Sequence, residues 1–225
     1  MPITTEYLRN AVRNIDWNDL EAIRSTSSYL LKQIVSDREC LGRLIVNAVN
    51  DPDLRELFEH YDILDKFVLL DDPTSGVRLR LHIFLPGYFD RPHNHRWKYT
   101  TLILNGGYRH YTYLPHDYTA DREIRDMSPV IASFEGVGNS YTYDARMFHS
   151  IIAEPNTVTL ILRGPSEKSE FFVVDRETKE SWWQYGSKQE SPEARANKMM
   201  NDTQLEIGLG VLREAGLLEC PAAAA

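Results

Sequence analysis

Residues 79–107, with the sequence LRLHIFLPGYFDRPHNHRWKYTTLILNGG, decide the fold of this chain. The residue types predict a strand that ends in a Pro-Gly turn, a turn that carries two histidines, a second strand and a closing Asn-Gly-Gly turn. The two histidines are His93 and His95, two positions apart. Side chains two apart on an extended chain point to the same face, so both imidazoles can reach one metal ion.

A third histidine fits the same site. His149 lies in the predicted strand MFHSII, at residues 147–152, after a Gly-Val-Gly turn. In a small β-barrel these strands can bring three imidazoles around one metal ion. Three neutral imidazoles suit Fe(II), Zn or Cu and leave coordination positions open for a substrate or dioxygen. A His-x-His pair alone also occurs by chance, so the metal hypothesis depends on the third histidine and on the strand pattern.

The rest of the chain predicts a mainly β barrel flanked by helices. Apolar residues recur at helical spacing over the first sixty residues and again over 191–218. Short strands without intervening helices are typical of a sandwich or barrel. They are predicted at residues 77–85, 98–104, 108–114, 128–135, 139–144, 148–153, 157–163 and 170–175. We divide the chain into an N-terminal helical extension packed on the barrel (1–62), the barrel (63–185) and a C-terminal helix and tail (186–225).

Composition and charge exclude several classes of partner. The chain has 225 residues and a formal net charge of −8, so no concentrated basic face for nucleic acid is expected. No window approaches the roughly 20 apolar residues of a membrane span. Cys40 and Cys220 form neither a disulfide framework nor a Cys-x-x-Cys motif. With no secretory signal at the N-terminus, we expect a cytoplasmic monomer or homodimer that binds a small molecule.

The same residues resemble the cupin superfamily. Gly87 followed by the Pro-His-Asn-His stretch at residues 92–95, with Gly107 at the next turn, resembles the first cupin motif. Gly138 followed by His149 and an asparagine in the next turn resembles a degenerate second motif. The resemblance implies a double-stranded β-helix (jelly-roll) barrel that holds a metal ion inside on the three histidines.

The first motif departs from the usual pattern, which continues with a glutamate. Between Arg96 and Thr101 this chain has no carboxylate. The site therefore resembles the three-histidine cupins, most closely the cysteine dioxygenase type of thiol dioxygenase, over residues 66–180. That resemblance implies Fe(II) on the histidines and O₂ as a co-substrate. Zn, Mn and Ni are alternative metals if the reaction is redox-neutral.

The resemblance does not extend to the substrate pocket of thiol dioxygenases. Those proteins have a histidine and a tyrosine where this chain has Ile161 and Arg163, so only the Thr159 hydroxyl remains of that group. Their carboxylate-binding arginine would fall near Lys66, where no arginine is present. The fold and the metal site carry over well, and cysteine as the substrate carries over poorly.

Further side chains are candidates for catalysis and substrate binding. Tyr99 and Thr159 supply hydroxyl groups for catalytic roles. Tyr99 belongs to a set of strand tyrosines, most of which we expect to pack on a half-buried face. Arg163 can bind a substrate carboxylate or sulfonate through a bidentate pair, and the alternative is a surface arginine at the end of a strand. His110 and His116 lie near a turn and are expected to face solvent.

One strand presents two faces of opposite character. Arg78, Arg80 and His82 alternate with apolar residues. We expect the apolar set to face the barrel interior. If the polar set faces inward instead, the pocket is charged, and Arg80 and His82 then bind an anionic substrate. His60, a lone histidine near a predicted helix end, is expected in a surface or capping role.

Three functions fit these features. The preferred hypothesis is a non-haem Fe(II)-dependent dioxygenase that acts on a small chelating, anionic substrate of the thiol or amino-acid type. The second is a redox-neutral metal cupin: an isomerase, lyase or hydrolase using Zn, Mn or Ni. The third is a small-molecule-binding cupin without catalysis. The fold alone cannot choose among them, because this barrel hosts many unrelated functions.

Overall fold

The computed structural model describes residues 3–113, 127–178, 180–186 and 189–219. His116 and Cys220 lie outside these ranges. Among the described residues, the helices are α1 (Thr5–Arg13), α2 (Leu20–Ser36), α3 (Arg38–Asn50), α4 (Pro52–Arg55), α5 (Pro192–Lys198) and α6 (Asp202–Glu214). None of the helices in these ranges is long and apolar enough to cross a membrane.

Aspartates fix the starts of three N-terminal helices. The Asp19, Asp37 and Asp51 carboxylates accept hydrogen bonds from backbone N–H groups in the first turns of α2, α3 and α4. These N–H groups have no partner within the helix, so a short polar side chain in front of them stabilises the start. The helical segment predicted at the N-terminus is present.

The predicted C-terminal helix is instead two helices. Between α5 and α6, Met199 is extended and forms a bridge with Glu59, and the Met200 N–H donates to the Phe58 carbonyl. Met200 is almost fully buried. The chain leaves the helical path here because these residues bond to the start of a strand. A capping box at Asn201 then begins α6.

Strands make up most of the remaining chain. In the described ranges they are β1 (Glu59–Tyr61), β2 (Leu64–Asp72), β3 (Val77–Phe84), β4 (Tyr99–Asn105), β5 (Gly107–Tyr113), β6 (Ile131–Gly136), β7 (Ser140–Tyr143), β8 (Phe148–Ala153), β9 (Thr157–Arg163), β10 (Glu170–Val174) and β11 (Ser181–Tyr185). β1, β2 and β11 are not among the strands predicted from the sequence. His60, expected near a helix end, lies in β1, with its Nδ1 2.5 Å from the buried Asp65 carboxylate.

The strands form two antiparallel sheets in a jelly-roll arrangement. The first sheet has the order β1-β2-β3-β9-β4-β7. The second has the order β6-β5-β8, and isolated pairs of His93 with His149 and with Val173 connect it to the β10-β11 ribbon. The fold is therefore mainly β, with helices at both ends of the chain, as the sequence predicts.

The helices cover the outer face of the first sheet, and this decides which strand residues face inward. Leu79 and Leu81 of β3 and Leu160 of β9 belong to one apolar core together with side chains of α2 and α3. Because that face is buried under the helices, the alternate face of β3 is turned toward the space between the sheets. The expectation that the apolar set of β3 lines the interior is wrong. Arg80 and His82 line it instead.

Candidate metal centre

The backbone holds His93 and His149 side by side. Each donates its N–H to the carbonyl of the other at 2.9 Å, as in a short antiparallel pair. Asn94 points the opposite way, and its Oδ1 accepts from the Phe172 N–H at 2.9 Å. This buried amide fixes the segment to β10, so that the alternation of the chain turns His93 and His95 to the same side.

The three imidazoles converge on one point. One ring nitrogen from each of His93, His95 and His149 lies within 4.8 Å of the others. The His95 and His149 Nε2 atoms are 2.8 Å apart. A metal–nitrogen bond of about 2.0–2.1 Å places neighbouring ligand nitrogens about 3 Å apart, so these residues fit a metal ion. His93 donates from Nδ1 to the Arg91 carbonyl at 2.8 Å, which leaves its Nε2 with a lone pair for the metal.

Burial keeps the ligands in the form that binds metals. It lowers the pKa of His95 and of His149 well below the ordinary value, and the neighbouring His93 acts in the same direction. Both rings are therefore neutral near pH 7. Metal binding requires such neutral imidazoles.

A fourth histidine, His110, contacts the ring nitrogen of His149 that points away from the other two histidines. The His110 Nε2 is 3.0 Å from the His149 Nδ1, and His110 is only 3% exposed. The prediction that His110 faces solvent is wrong, because β5 turns Tyr108, His110 and Thr112 toward the space between the sheets. The alternation of these three residues was the sequence signal for an inward position. The other histidine predicted to face solvent, His116, lies outside the described residues.

Tyr99 lies beside the point at which the three imidazoles converge. Its Oη is 3.3 Å from the His149 Nε2, and its ring packs against His95. Burial raises the pKa of Tyr99 well above the ordinary value, so the phenol keeps its proton. Two further strand tyrosines, Tyr108 and Tyr141, face the same cavity with their hydroxyls 2.5 Å apart.

The histidines open on a cavity of about 440 Å³ between the two sheets. This size is ordinary for a small-molecule site, which spans roughly 300–1,000 Å³. Besides the three histidines, its wall carries four of the candidate residues from the sequence: Arg80, His82, Tyr99 and Thr159. Arg163 is not among the lining residues. Its Nη1 donates to the Gly76 and Gly164 carbonyls at 3.0 Å, which holds the side chain beside the β2–β3 turn.

Comparisons with known proteins return weak structural similarities. No family model and no curated protein matches the chain. Among solved structures, KdgF from Halomonas sp. is 12% identical, covering 49% of this chain and 88% of that chain with a TM-score of 0.37. An RmlC-like cupin from Shewanella frigidimarina NCIMB 400 is also 12% identical, and the match covers 49% of this chain and 85% of that chain with a TM-score of 0.37. A deletion mutant of the oxalate decarboxylase OxdC from Bacillus subtilis is 16% identical, and the match covers 52% of this chain and 29% of that chain with a TM-score of 0.39. At these TM-scores the similarities carry no functional argument.

Proposed function

We propose that this chain is a metal-dependent enzyme of the cupin type that acts on a small anionic substrate, with Fe(II) on His93, His95 and His149 and O₂ as the co-substrate. The observation that carries the proposal is the convergence of three ring nitrogens, one from each histidine, on a cavity whose wall also holds cationic side chains. A facial set of three neutral ligands leaves room for a chelating substrate.

The protein's own residues have distinct tasks in this proposal. A bound metal ion supplies Lewis acidity and, as Fe(II), redox capacity toward dioxygen. His110 accepts the His149 Nδ1 proton and so keeps the Nε2 lone pair of His149 turned to the metal. Tyr99, protonated and adjacent to His149, donates a hydrogen bond to the substrate. The apolar and aromatic lining limits water at the reacting groups.

A redox-neutral reaction is the second candidate, and Tyr99 is the observation that favours it. A buried phenol that keeps its proton beside a metal ligand can donate a hydrogen bond to negative charge that develops on a substrate oxygen, and isomerases, lyases and hydrolases often need such stabilisation. Zn, Mn or Ni would serve such a reaction as the Lewis acid. A binding cupin without catalysis is the third candidate.

One experiment separates the three. The protein is loaded with Fe(II) without oxygen and then offered thiols, amino acids and small carboxylic acids, while oxygen uptake, substrate loss and bound metal are measured. The same panel is repeated without oxygen on protein loaded with Zn, Mn or Ni. His149→Ala is compared with His60→Ala, which removes a histidine outside the cavity.

Each outcome decides between the candidates. Uptake of O₂ that matches substrate loss, retained in His60→Ala and lost in His149→Ala, supports the dioxygenase. Substrate loss without oxygen supports the redox-neutral enzyme. Bound metal with ligand binding and no turnover supports the binding cupin. A wild-type protein that binds no metal overturns the proposal.

A further inference from the structure

The wall of the cavity that β3 and β9 form holds polar atoms without partners. The Arg80 Nε, the His82 Nε2 and the Thr159 Oγ1 are buried and make no hydrogen bond among the described residues. All three line the cavity. His82 and Thr159 are direct neighbours across the β3–β9 pair, and Arg80 lies two positions from His82 on the same face of β3. Buried polar groups are rarely left unpaired, so this cluster points to a ligand.

The charge on this wall is also unbalanced. The Lys66 Nζ is 3.3 Å from the Glu59 Oε2, and the Lys198 Nζ is 3.5 Å from the other oxygen of the same carboxylate. Lys198 also pairs with Glu190. These two lysines therefore have carboxylate partners. Within the described part of the chain no carboxylate lies within salt-bridge distance of Arg80, and Glu59 acts on it only at longer range.

A buried cation without a counterion is costly, and a ligand that brings one negative charge removes that cost. The guanidinium offers donors in a fork that matches a planar carboxylate. The Thr159 hydroxyl can donate as well, and so can the His82 ring in the tautomer with a proton on Nε2. One unbalanced charge and these donors fit a carboxylate better than a doubly charged phosphate.

We propose that Arg80, His82 and Thr159 form a carboxylate subsite separate from the metal centre. The substrate is then a small acid with two functional ends: a carboxylate on this wall and a different group that reaches the metal. For that second end the inference rests on the proposed function; the subsite itself does not require a bound metal.

The test measures anion binding to the metal-free, full-length protein by calorimetric titration. The probes are succinate, acetate and inorganic phosphate. Arg80→Gln should weaken succinate binding by about 10- to 100-fold, the usual size of a lost hydrogen bond to a charged group. Arg78→Gln is the matched control. It removes the same charge from the same face of β3, but Arg78 is bonded to the Asp71 carboxylate at 2.6 Å and does not line the cavity.

Arg80→Lys and His82→Gln are measured alongside, in case Arg80→Gln fails to fold. Arg80→Lys keeps the positive charge but loses the paired guanidinium donors, so its affinity for succinate should lie between those of the wild type and Arg80→Gln. Equal succinate binding by the wild type and by the folded Arg80 variants overturns the subsite, as does tighter binding of phosphate than of succinate. If succinate binding depends on Arg80 but the metal-loading experiment finds no bound metal, the subsite is supported and only the proposed function is overturned.

Discussion

At the scale of single residues, the two nitrogens of His149 have different partners, and this defines its role. The Nε2 faces His95 and Tyr99, whereas the Nδ1 faces the His110 Nε2 at 3.0 Å. If the Nε2 lone pair binds a metal, the proton must reside on Nδ1, and His110 accepts it. The His110 Nδ1 is in turn 3.9 Å from a Glu135 carboxylate oxygen. Behind the candidate metal centre, His149, His110 and Glu135 therefore form a row of side chains.

This row predicts that His110 is a positioning residue. His110→Leu should weaken metal binding by roughly 10- to 100-fold, because the His149 ring loses the acceptor that fixes its tautomer. The dissociation constant is measured by competition with a chelator. His110→Gln keeps a hydrogen-bonding side chain and should recover part of the loss. Equal affinities of the wild type and both variants would mean that His110 only fills space.

At the scale of elements, the C-terminal helix α6 depends on a small residue to approach the first sheet. A Cβ on Gly208 would lie 2.7 Å from the Cζ of Phe67, whose ring is fully buried in β2. A Cβ on Gly210, in the same helix, would meet nothing within 4 Å. The same substitution, glycine to alanine, should therefore change the free energy of unfolding in opposite directions at these two positions.

Gly208→Ala should destabilise the protein by about 1–3 kcal/mol, because the helix or the Phe67 ring must move to relieve the overlap. Gly210→Ala should stabilise it by up to about 1 kcal/mol, since alanine is the better helix former and has room. Urea unfolding of the two variants measures both effects. A stabilised Gly208→Ala protein would mean that α6 does not pack as described.

Sequence patterns predicted the elements better than the faces they present. Apolar residues at helical spacing and the alternating strands are local signals, and the helices and most strands follow them. Which face of β3 is inward depends on what covers the other face, and that is decided by helices distant in the chain. The inward position of His110 was missed although the alternation of Tyr108, His110 and Thr112 along β5 indicated it.

β11 was missed for a related reason. Its central residues Trp182 and Trp183 are more than a third exposed, and the strand is defined by its pairing with β10. A two-stranded ribbon with large residues on both faces has no clean alternation to detect. The convergence of the three histidines, in contrast, could be predicted from the sequence, because a His-x-His pair and a histidine on a later strand can be recognised without knowledge of the packing.

At the scale of the whole molecule, the candidate metal centre joins parts of the chain that are far apart in sequence. His93 and His149 lie on neighbouring segments of the second sheet, and the cavity extends to the first sheet. A ligand that binds only the folded chain stabilises it by mass action. The metal should therefore act on global stability as well as on the site.

Zinc, which has no redox chemistry, is the probe for this effect. At a free concentration 100 times its dissociation constant it should add about 2.7 kcal/mol to the free energy of unfolding. For a chain of this size that raises the melting temperature by roughly 5–10 °C. Calorimetric scans at several zinc concentrations measure the shift, and His149→Ala should show little of it. A melting temperature independent of zinc would contradict the three-histidine site.

The same cavity makes stability depend on pH. Burial, followed by the charges of Lys66 and Arg80, lowers the pKa of His82 well below the ordinary value, and Glu59 opposes the two cations only in part. Below about pH 6.5 the unfolded chain takes up a proton on His82 that the folded chain does not bind. The unfolded state then binds more protons, so the stability that His82 supplies is complete above that pH and is lost as the pH falls.

The free energy of unfolding of the metal-free protein should therefore fall between about pH 7 and about pH 5. A single histidine that stays neutral contributes up to about 1.4 kcal/mol for each pH unit below its ordinary pKa. His95 and His149, whose pKa values burial also lowers, act with the same sign. Because both are present in His82→Gln, the difference between that variant and the wild type isolates His82. Urea unfolding at the two pH values should give a smaller loss for the variant, and an equal loss would show that the folded protein admits a proton to this wall.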